Sequence, residues 1–405
     1  MKICFIADAR SPIARGWIDL FRGRHEIVVL STFPVDSPWE GVRVINLEWM
    51  NWIFKPGEKN KIEKSRFVSG LRFLNDVILL PMKSRAMAKQ VRKFIPGWKP
   101  DVVHALRIPV EGQVAALAGC HPLAISIWGN DFTLHARKSR LHWKLAARSV
   151  KSAGAIIADC EADLGRAREF GLTEAHLKAV FPGAGGIDFA ADVPAGSESD
   201  VRSMFGIPEG VSVVLNPRGA RPYVRNDIFL EAVRRVYKAD PSVVFVGVGL
   251  KGWAPAEQFI KASGLQKTLI LTSHIDRSAL LSLMRIADVS VSPAEHDGTP
   301  NTLLEAMYSG SFPICGDLPS IREWISPGKN GYLVDPSDAQ QVASSILDAL
   351  ANKTLRTTAA AINRELVSAR ADRSKTREQA EALYRTLASG YCAIEQGSGV
   401  GTAQG

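Results

Sequence analysis

Two carboxylates around a tight loop are the residues of this sequence best suited to chemistry. Asp297 and Glu305 lie eight positions apart in the run Asp-Gly-Thr-Pro-Asn-Thr-Leu-Leu-Glu. The run predicts a loop whose N–H groups point at an anion, followed by a helix that offers its positive end to the same place. A ligand with hydroxyls and phosphate fits, and a nucleotide-sugar has both. The loop and helix start consist of Gly298, Pro300, Asn301 and Thr302.

Three arginines occupy another loop, 216–227, which follows a predicted strand and precedes a predicted helix. They are Arg218, Arg221 and Arg225. A guanidinium is permanently charged and forms paired hydrogen bonds to phosphate oxygens. The loop therefore predicts a diphosphate clamp, with a surface loop of solvated arginines as the alternative.

The first half of the chain offers a third group, Trp128-Gly129-Asn130-Asp131, at the end of a predicted strand. Gly129 would let a ligand approach the backbone closely. Asp131 is expected to cap the next helix, to orient an acceptor hydroxyl, or to do both. Gly16 lies in 10–17, interpreted as the first strand-to-helix loop, which would contact a diphosphate or an acceptor or would simply connect two elements.

Other motifs are absent or weak. The run 247–252 matches G-x-G-x-x-G, but no acid ends the next strand at 269–272, so we interpret it as a strand-end turn. The five cysteines are scattered without a C-x-x-C pair, which argues against structural zinc and a disulfide framework and favours a reducing cytoplasm. We find no Ser-His-Asp arrangement, P-loop or metal cluster, so neither metal nor cofactor is expected.

Short apolar runs alternating with helical patterns indicate α/β structure with parallel sheets. The strands are predicted at 2–7, 26–31, 101–105, 123–128 and 155–158, and again at 211–215, 243–246, 269–272 and 289–292. A Gly/Pro-rich stretch at 182–200 separates the two series. We predict two doubly wound, Rossmann-like domains, 1–190 and 191–370, facing a central cleft, and a tail, 371–405, whose helix crosses back to the first domain.

Charge is concentrated in the first domain of this 405-residue chain. Residues 55–99 contain 12 Lys+Arg and 3 Asp+Glu, following Trp39, Trp49, Trp52 and Phe54. Basic charge beside aromatics predicts docking of 39–99 on an anionic membrane, such as the inner face of the cell membrane. The alternative is a solvated helical face with core tryptophans. No nucleic-acid motif accompanies the charge, and no apolar run is long enough to span a membrane.

The second domain resembles the glycosyltransferase family 4 enzymes, which are retaining and have the GT-B fold. Their pattern E-G-x-P-x-x-x-x-E-A-M-A-x-G resembles the run D-G-x-P-x-x-x-x-E-A-M-x-x-G from Asp297 to Gly310. The resemblance implies that Glu305 holds ribose hydroxyls, that Asp297 contacts the donor sugar, and that Arg218 binds phosphate. Arg225 would stand in for the family's lysine, with the spacing off by about one residue.

Two departures from the family pattern affect these expectations. Asp297 is one methylene shorter than the usual Glu, so contacts to the donor sugar must differ. Trp128 replaces the His of a common His-Gly-x-Asp motif, and an indole cannot act as a general base. Trp128 is therefore expected to shape an acceptor pocket by stacking.

The expected activity is retaining transfer of a hexosyl group from a nucleotide-diphosphate sugar to a sugar or lipid-linked acceptor, in the synthesis of a cell-surface glycan or glycolipid. Two alternatives stay open. One is a different enzyme of the same fold, a nucleotide-sugar 2-epimerase or a phosphorylase. The other is a non-catalytic partner subunit that binds nucleotide-sugar.

Overall fold

A computed structural model describes residues 1–36, 39–48, 80–191 and 196–398, with backbone only for 80 and 391–398. The chain forms two compact units. Unit 1 comprises Met1–Gly185 and the residues from Thr376 onward, and unit 2 comprises Gly186–Lys375. The chain leaves unit 1 inside the glycine-rich run that follows Phe181.

Within its described residues, unit 1 has a seven-stranded parallel sheet in the order β3-β2-β1-β4-β5-β6-β7. The order turns back on itself between β1 and β4, which makes that pair the topological switch point. The strands are β1 (Lys2–Ala7), β2 (Glu26–Ser31), β3 (Arg43–Asn46), β4 (Val102–Leu106), β5 (Leu123–Ile127), β6 (Ala155–Ala158) and β7 (Leu177–Val180).

Helices cover both faces of this sheet, and alternate residues of its central strands pack into two different apolar clusters. Ile3 and Phe5 of β1 pack in one apolar cluster, whereas Cys4 and Ile6 pack in the other. Before residue 186 the described residues form five α-helices: α1 (Pro12–Ile18), α2 (Leu80–Trp98), α3 (Gln113–Ala118), α4 (Arg140–Ser152) and α5 (Glu161–Ala167). Two π-helical turns, Ile108–Gly112 and Asp131–His135, follow β4 and β5.

Unit 2 has a six-stranded parallel sheet within its described residues, in the order β10-β9-β8-β11-β12-β13. Its switch point lies between β8 and β11. The strands are β8 (Val213–Asn216), β9 (Val244–Gly247), β10 (Leu269–Leu271), β11 (Val289–Ser292), β12 (Phe312–Gly316) and β13 (Tyr332–Val334). The helices are α6 (Glu198–Phe205), α7 (Asn226–Ala239), α8 (Ala254–Ser263), α9 (Arg277–Ile286), α10 (Asn301–Ser309), α11 (Ala339–Ala351) and α12 (Lys353–Arg370).

The last helix, α13 (Arg373–Ser398), packs on unit 1 through a buried polar group. The Tyr384 hydroxyl is fully buried, lies 2.6 Å from Nδ1 of His104 and accepts a hydrogen bond of 3.1 Å from Nε1 of Trp17. Nε2 of His104 lies 2.9 Å from the Ser126 hydroxyl. Burial lowers the pKa of His104 to about 3, so the imidazole is neutral.

Candidate functional site

The predicted phosphate and sugar residues of unit 2 meet at its switch point. Arg218 follows β8 and Asp297 follows β11, and these two strands are hydrogen-bonded neighbours. Open α/β sheets bind ligands beyond the carboxyl ends of their strands at such a point. The topology therefore brings together residues that are 79 positions apart in sequence.

Arg218 is the centre of this group. Its Nη2 donates a short hydrogen bond to Oδ2 of Asp297, and its Nη1 donates one of 3.1 Å to the hydroxyl of Thr302. The side chains of Arg218 and Asp297 are only 7% and 16% exposed. The pair is thus shielded from water, where each charge interacts more strongly than at a surface.

The ionisation of Asp297 is set by opposing effects. Burial raises the pKa of its carboxyl. The charge of Arg218, a hydrogen bond from the Gly298 amide and the charge of Arg221 lower that pKa. Arginine does not deprotonate in proteins. We therefore treat the pair as ionic, with Asp297 as the anion that neutralises a buried guanidinium.

The first turn of α10 lies beside this pair. Pro300 occupies its N-cap position, and no side chain of the described residues caps the helix there. The Leu303 amide turns back to the Pro300 carbonyl at 3.0 Å. The amides at the start of an uncapped helix, together with its dipole, form an anion site. Asn301 and Thr302 stand at the positions expected for it.

Neighbouring side chains fix the loop before α10. The Ser320 hydroxyl donates a hydrogen bond of 2.8 Å to the Asp297 carbonyl, and Nε1 of Trp324 donates one of 3.1 Å to the Thr299 hydroxyl. Gly298, Thr299 and Pro300 are buried. The loop is therefore positioned before any ligand arrives.

Glu305, one turn into α10, is buried at 7% exposure. Nε of Arg277 donates a hydrogen bond of 3.0 Å to its Oε1. Arg277 was not among the predicted site residues, because it lies 28 positions earlier and belongs to no motif. One signal was available: Arg277 opens α9, where the helix dipole disfavours a cation.

The remaining two arginines of the predicted clamp are placed differently. Arg225 adopts a left-handed backbone conformation, with φ of 56°, and its guanidinium donates to both oxygens of Asp227 at 3.0 and 2.9 Å. A further hydrogen bond of 3.4 Å reaches Glu295. Arg221 is exposed, and its charge acts on Asp297. The structure thus brings Arg218 and Asp297 together, while Arg225 contacts other acids.

Unit 1 has a cavity of about 370 Å³ at its own switch point. Asp8, Arg107 and Trp128 line it, and each is the first residue after a strand, namely β1, β4 and β5. The loop after β2 contributes Phe33. Four adjacent strands therefore deliver polar and aromatic side chains to one cavity.

Asp131 lies in this cavity and is fully buried. Its Oδ2 accepts hydrogen bonds from the amides of Ile108 at 3.1 Å and Trp128 at 3.2 Å, and its Oδ1 accepts one from Nε of Arg107 at 3.1 Å. The expected cap of the following helix is not formed, since no side chain caps the turn that begins at Asp131. Asp131 instead joins the loops after β4 and β5.

Trp128 and Gly129 lie in the same loop after β5 as Asp131. The guanidinium of Arg107 lies 5.9 Å from the centre of the Trp128 ring. Gly129 is buried, and its amide donates a hydrogen bond of 3.3 Å to Oδ2 of Asp159. Asp159 also belongs, with Cys160 and Asp163, to the only group of three potential metal-ligating side chains that a search of the described residues finds.

Two glycosyltransferase family models match the chain. The model "Glycosyl transferase 4-like" matches residues 2–160, and "Glycosyl transferases group 1" matches residues 198–365. The chain belongs to the family 4-like glycosyltransferases.

Among curated relatives, D-inositol 3-phosphate glycosyltransferase from Geodermatophilus obscurus is 27% identical over 180 residues, or 42% of this chain and 40% of that protein. Phosphatidyl-myo-inositol mannosyltransferase from Mycobacterium leprae is 28% identical over 220 residues, or 52% of this chain and 57% of that protein. The chain spans about half the length of these relatives.

Solved structures confirm the predicted fold. Sucrose-phosphate synthase from Thermosynechococcus elongatus superposes with a TM-score of 0.76 at 16% identity, covering 96% of this chain and all 100% of that one. Anabaena HepE in complex with UDP gives 0.72 at 18% identity, with 96% and 100% covered. The glycosyltransferase therefore has the GT-B fold, with two doubly wound α/β units.

One predicted residue of the glycosyltransferase lies in another element than expected. Gly16 belongs to α1 and not to a connecting loop, because Ser11 caps the helix and Pro12 starts it. A methyl group on Gly16 would lie 2.9 Å from the carbonyl oxygen of Ala184. Close packing accounts for the glycine, and a ligand contact at Gly16 stays a prediction.

Only part of the predicted membrane-docking segment, 39–99, lies within the described residues. Trp39 is 9% exposed, its Nε1 donates to Oδ1 of Asp19 at 3.2 Å, and the Arg15 guanidinium lies 4.7 Å from its ring. Expecting Trp39 at a membrane was wrong, since it packs in unit 1. Trp49, Trp52, Phe54 and 55–79 lie outside the described residues. None of the helices that the structure describes has the length and apolar character needed to span a membrane.

Proposed function

We propose that this glycosyltransferase moves a hexosyl group from a nucleotide-diphosphate sugar to an acceptor hydroxyl, with retention at the anomeric carbon. The observation that supports it best is Arg218, held between Asp297 and Thr302 beside the uncapped start of α10. A buried, oriented guanidinium next to free helix amides matches a diphosphate. In this proposal the donor binds in unit 2.

Glu305 and Asp297 bind the remaining parts of the donor, the ribose and the sugar. Glu305 accepts hydrogen bonds from the ribose hydroxyls, and Arg277, which donates a hydrogen bond of 3.0 Å to it, holds the carboxylate in its orientation. Asp297 receives a hydroxyl of the donor sugar. Because Arg218 already neutralises Asp297, the donor meets a paired group and not a bare negative charge beside its diphosphate.

Negative charge grows on the leaving diphosphate as the glycosidic bond breaks. Arg218, Arg225 and the amides of Asn301 and Thr302 stabilise that charge, and one such preorganised donor contributes on the order of 3 kcal/mol. The acceptor attacks from the leaving-group side, and its proton passes to the departing phosphate oxygen. This route needs neither a protein base, in keeping with Trp128, nor a metal ion, since arginines supply the positive charge.

The acceptor side of the proposal rests on the cavity of unit 1. Asp131 fixes its backbone wall, and Trp128 offers an aromatic face on which a sugar or polyol ring packs. Relatives named for inositol phosphate and phosphatidylinositol support a sugar or lipid-linked acceptor in glycan or glycolipid synthesis. We place this reaction in the cytoplasm, with the basic stretch 55–99 as a membrane-docking segment.

A thermal-shift panel of UDP-, GDP- and ADP-sugars tests donor binding. A ligand at 100 times its Kd stabilises a protein by about 2.7 kcal/mol, which raises the melting temperature of a unit of this size by about 5 to 10 °C. Glu305→Gln should abolish the shift, and Glu365→Gln, the same change at an exposed position of α12, should leave it intact. No shift with any nucleotide-sugar would contradict the proposal.

Transfer itself is tested with the donor that binds, across a panel of sugar and polyol acceptors. NMR of the first product should show the anomeric configuration of the donor, and a chelator should leave turnover unchanged. An inverted product would refute retention. A 2-epimerised sugar formed without acceptor would favour the epimerase alternative, and donor binding without any transfer would favour the partner subunit.

A further inference from the structure

Glu111 lines the cavity of unit 1, although no motif pointed to it. It lies in the π-helical turn Ile108–Gly112, which follows β4 directly. Its side chain is 3% exposed, and its Oε1 accepts a hydrogen bond of 2.7 Å from the hydroxyl of Thr32, the first residue after β2. The carboxyl is therefore held at the meeting point of two strand ends, and the Thr32 hydroxyl helps to fix its orientation.

A carboxyl in this place is costly for the fold. Taking a carboxylate out of water is unfavourable unless hydrogen bonds and charges compensate it. Burial raises the pKa of Glu111 to about 7, against the opposing effects of the Thr32 hydroxyl and the Arg107 charge. Glutamine would accept the same hydrogen bond without this cost. An acid at this position thus points to a task other than holding Thr32.

The surroundings of Glu111 are polar on several sides. Asp8 raises its pKa and Arg107 lowers it, and Lys83 of α2 interacts with it electrostatically. A carboxylate has two oxygens and about four lone-pair sites, of which the Thr32 hydroxyl uses one and the backbone amide of Glu111 another. Further ionisable groups that line the cavity are Asp131, His135, Lys138 and His142.

We propose that Glu111 binds a hydroxyl group of the acceptor in the unit 1 cavity and so selects a polyhydroxylated acceptor. This inference rests on the proposed function, because it assigns the acceptor to this cavity. Glu111 accepts the hydrogen bond from the substrate hydroxyl through an oxygen that Thr32 does not occupy. Thr32 acts as a positioning residue, since it holds the other oxygen at 2.7 Å.

The test compares acceptor and donor kinetics in four variants of the full chain. Glu111→Gln keeps the shape and loses the charge, so the KM for the acceptor should rise roughly tenfold, the effect of losing a charged hydrogen-bond acceptor. The KM for the donor should stay unchanged. Thr32→Val should raise the acceptor KM less, and Thr32→Ser should restore it. Glu26→Gln, at an exposed position of β2, is the control.

The pH profile gives a second readout that a purely structural role would not move. A carboxylate accepts hydrogen bonds more strongly than the neutral acid. In the wild type the acceptor KM should therefore fall as pH rises through about 7, where Glu111 ionises. In Glu111→Gln this dependence should be absent, which separates Glu111 from the other ionisable groups of the cavity.

The outcomes separate the two proposals. If the wild type transfers sugar and Glu111→Gln keeps both the acceptor KM and the pH profile, the role of Glu111 is overturned and the proposed function stands. If the wild type transfers no sugar to any acceptor, the proposed function fails and the role of Glu111 fails with it.

Discussion

Replacing Arg218 by alanine should have two effects that can be measured separately. The substitution leaves Asp297, which is 16% exposed, without its cation. Breaking a buried ion pair costs about 3–5 kcal/mol, and the cost falls toward the lower figure because burial already favours protonation of Asp297. Turnover should fall by roughly two orders of magnitude, the effect of removing one preorganised donor from a developing charge.

The double variant Arg218→Ala/Asp297→Asn separates these effects. Asparagine carries no charge, so no uncompensated carboxylate stays buried, and the free energy of unfolding should rise above that of Arg218→Ala alone. Turnover should stay low, because the guanidinium is still missing. Urea denaturation and initial rates at saturating donor provide the two measurements. Turnover that recovers together with stability would refute the assignment of Arg218 to the leaving group.

Three further predictions concern unit 1. The pKa of Glu111 is raised to about 7, so its stabilising contribution is complete below about pH 4.5 and is lost as pH rises through 7. The free energy of unfolding of Glu111→Gln should therefore increase by about 3 kcal/mol relative to wild type between pH 4.5 and 8. A difference in urea denaturation that does not change with pH would contradict this. Tyr384→Phe leaves Nε1 of buried Trp17 without its acceptor and should lower stability by about 1–3 kcal/mol, so an unchanged melting temperature would count against this bond. Gly16→Ala places a methyl 2.9 Å from a backbone oxygen and should destabilise by about 1–3 kcal/mol, whereas Gly165→Ala in α5, with open space around it, should be neutral or stabilising by calorimetry.

Local sequence patterns predicted the central strands best. The predicted bounds of β1 and β2 agree with the structure to the residue, because both are apolar runs whose last five residues are buried. The strands β3, β7, β12 and β13 were not predicted. Proline is depleted in central strands, and β12, which is buried throughout, contains Pro313. The other three are short edge strands, and most of their residues are only partly buried or exposed. At sheet edges, pairing with a neighbour determines the strand, and a local pattern does not reveal that neighbour.

The candidate site was predictable where a loop or helix start carried the signal. Gly298 and Pro300 mark the anion loop by their residue types alone. Glu111 and Arg277 were missed because their roles depend on partners 79 and 28 positions away, Thr32 and Glu305. Sequence spacing does not show which strand ends become neighbours, and a pKa raised by burial exists only after the fold has formed.

The attachment of α13 to unit 1 has a consequence for the order in which the protein is made. Tyr384 fills a position among Trp17 and His104, which a ribosome releases 367 and 280 residues earlier. Unit 2 is continuous, from Gly186 to Lys375, and can complete its sheet during synthesis. The core of unit 1 can be completed only after α13 has been synthesised, because α13 carries the partner of these two side chains. A polypeptide truncated near residue 375 would contain all of unit 2, whereas the core of its N-terminal sheet would lack the Tyr384 hydroxyl that Trp17 and His104 contact.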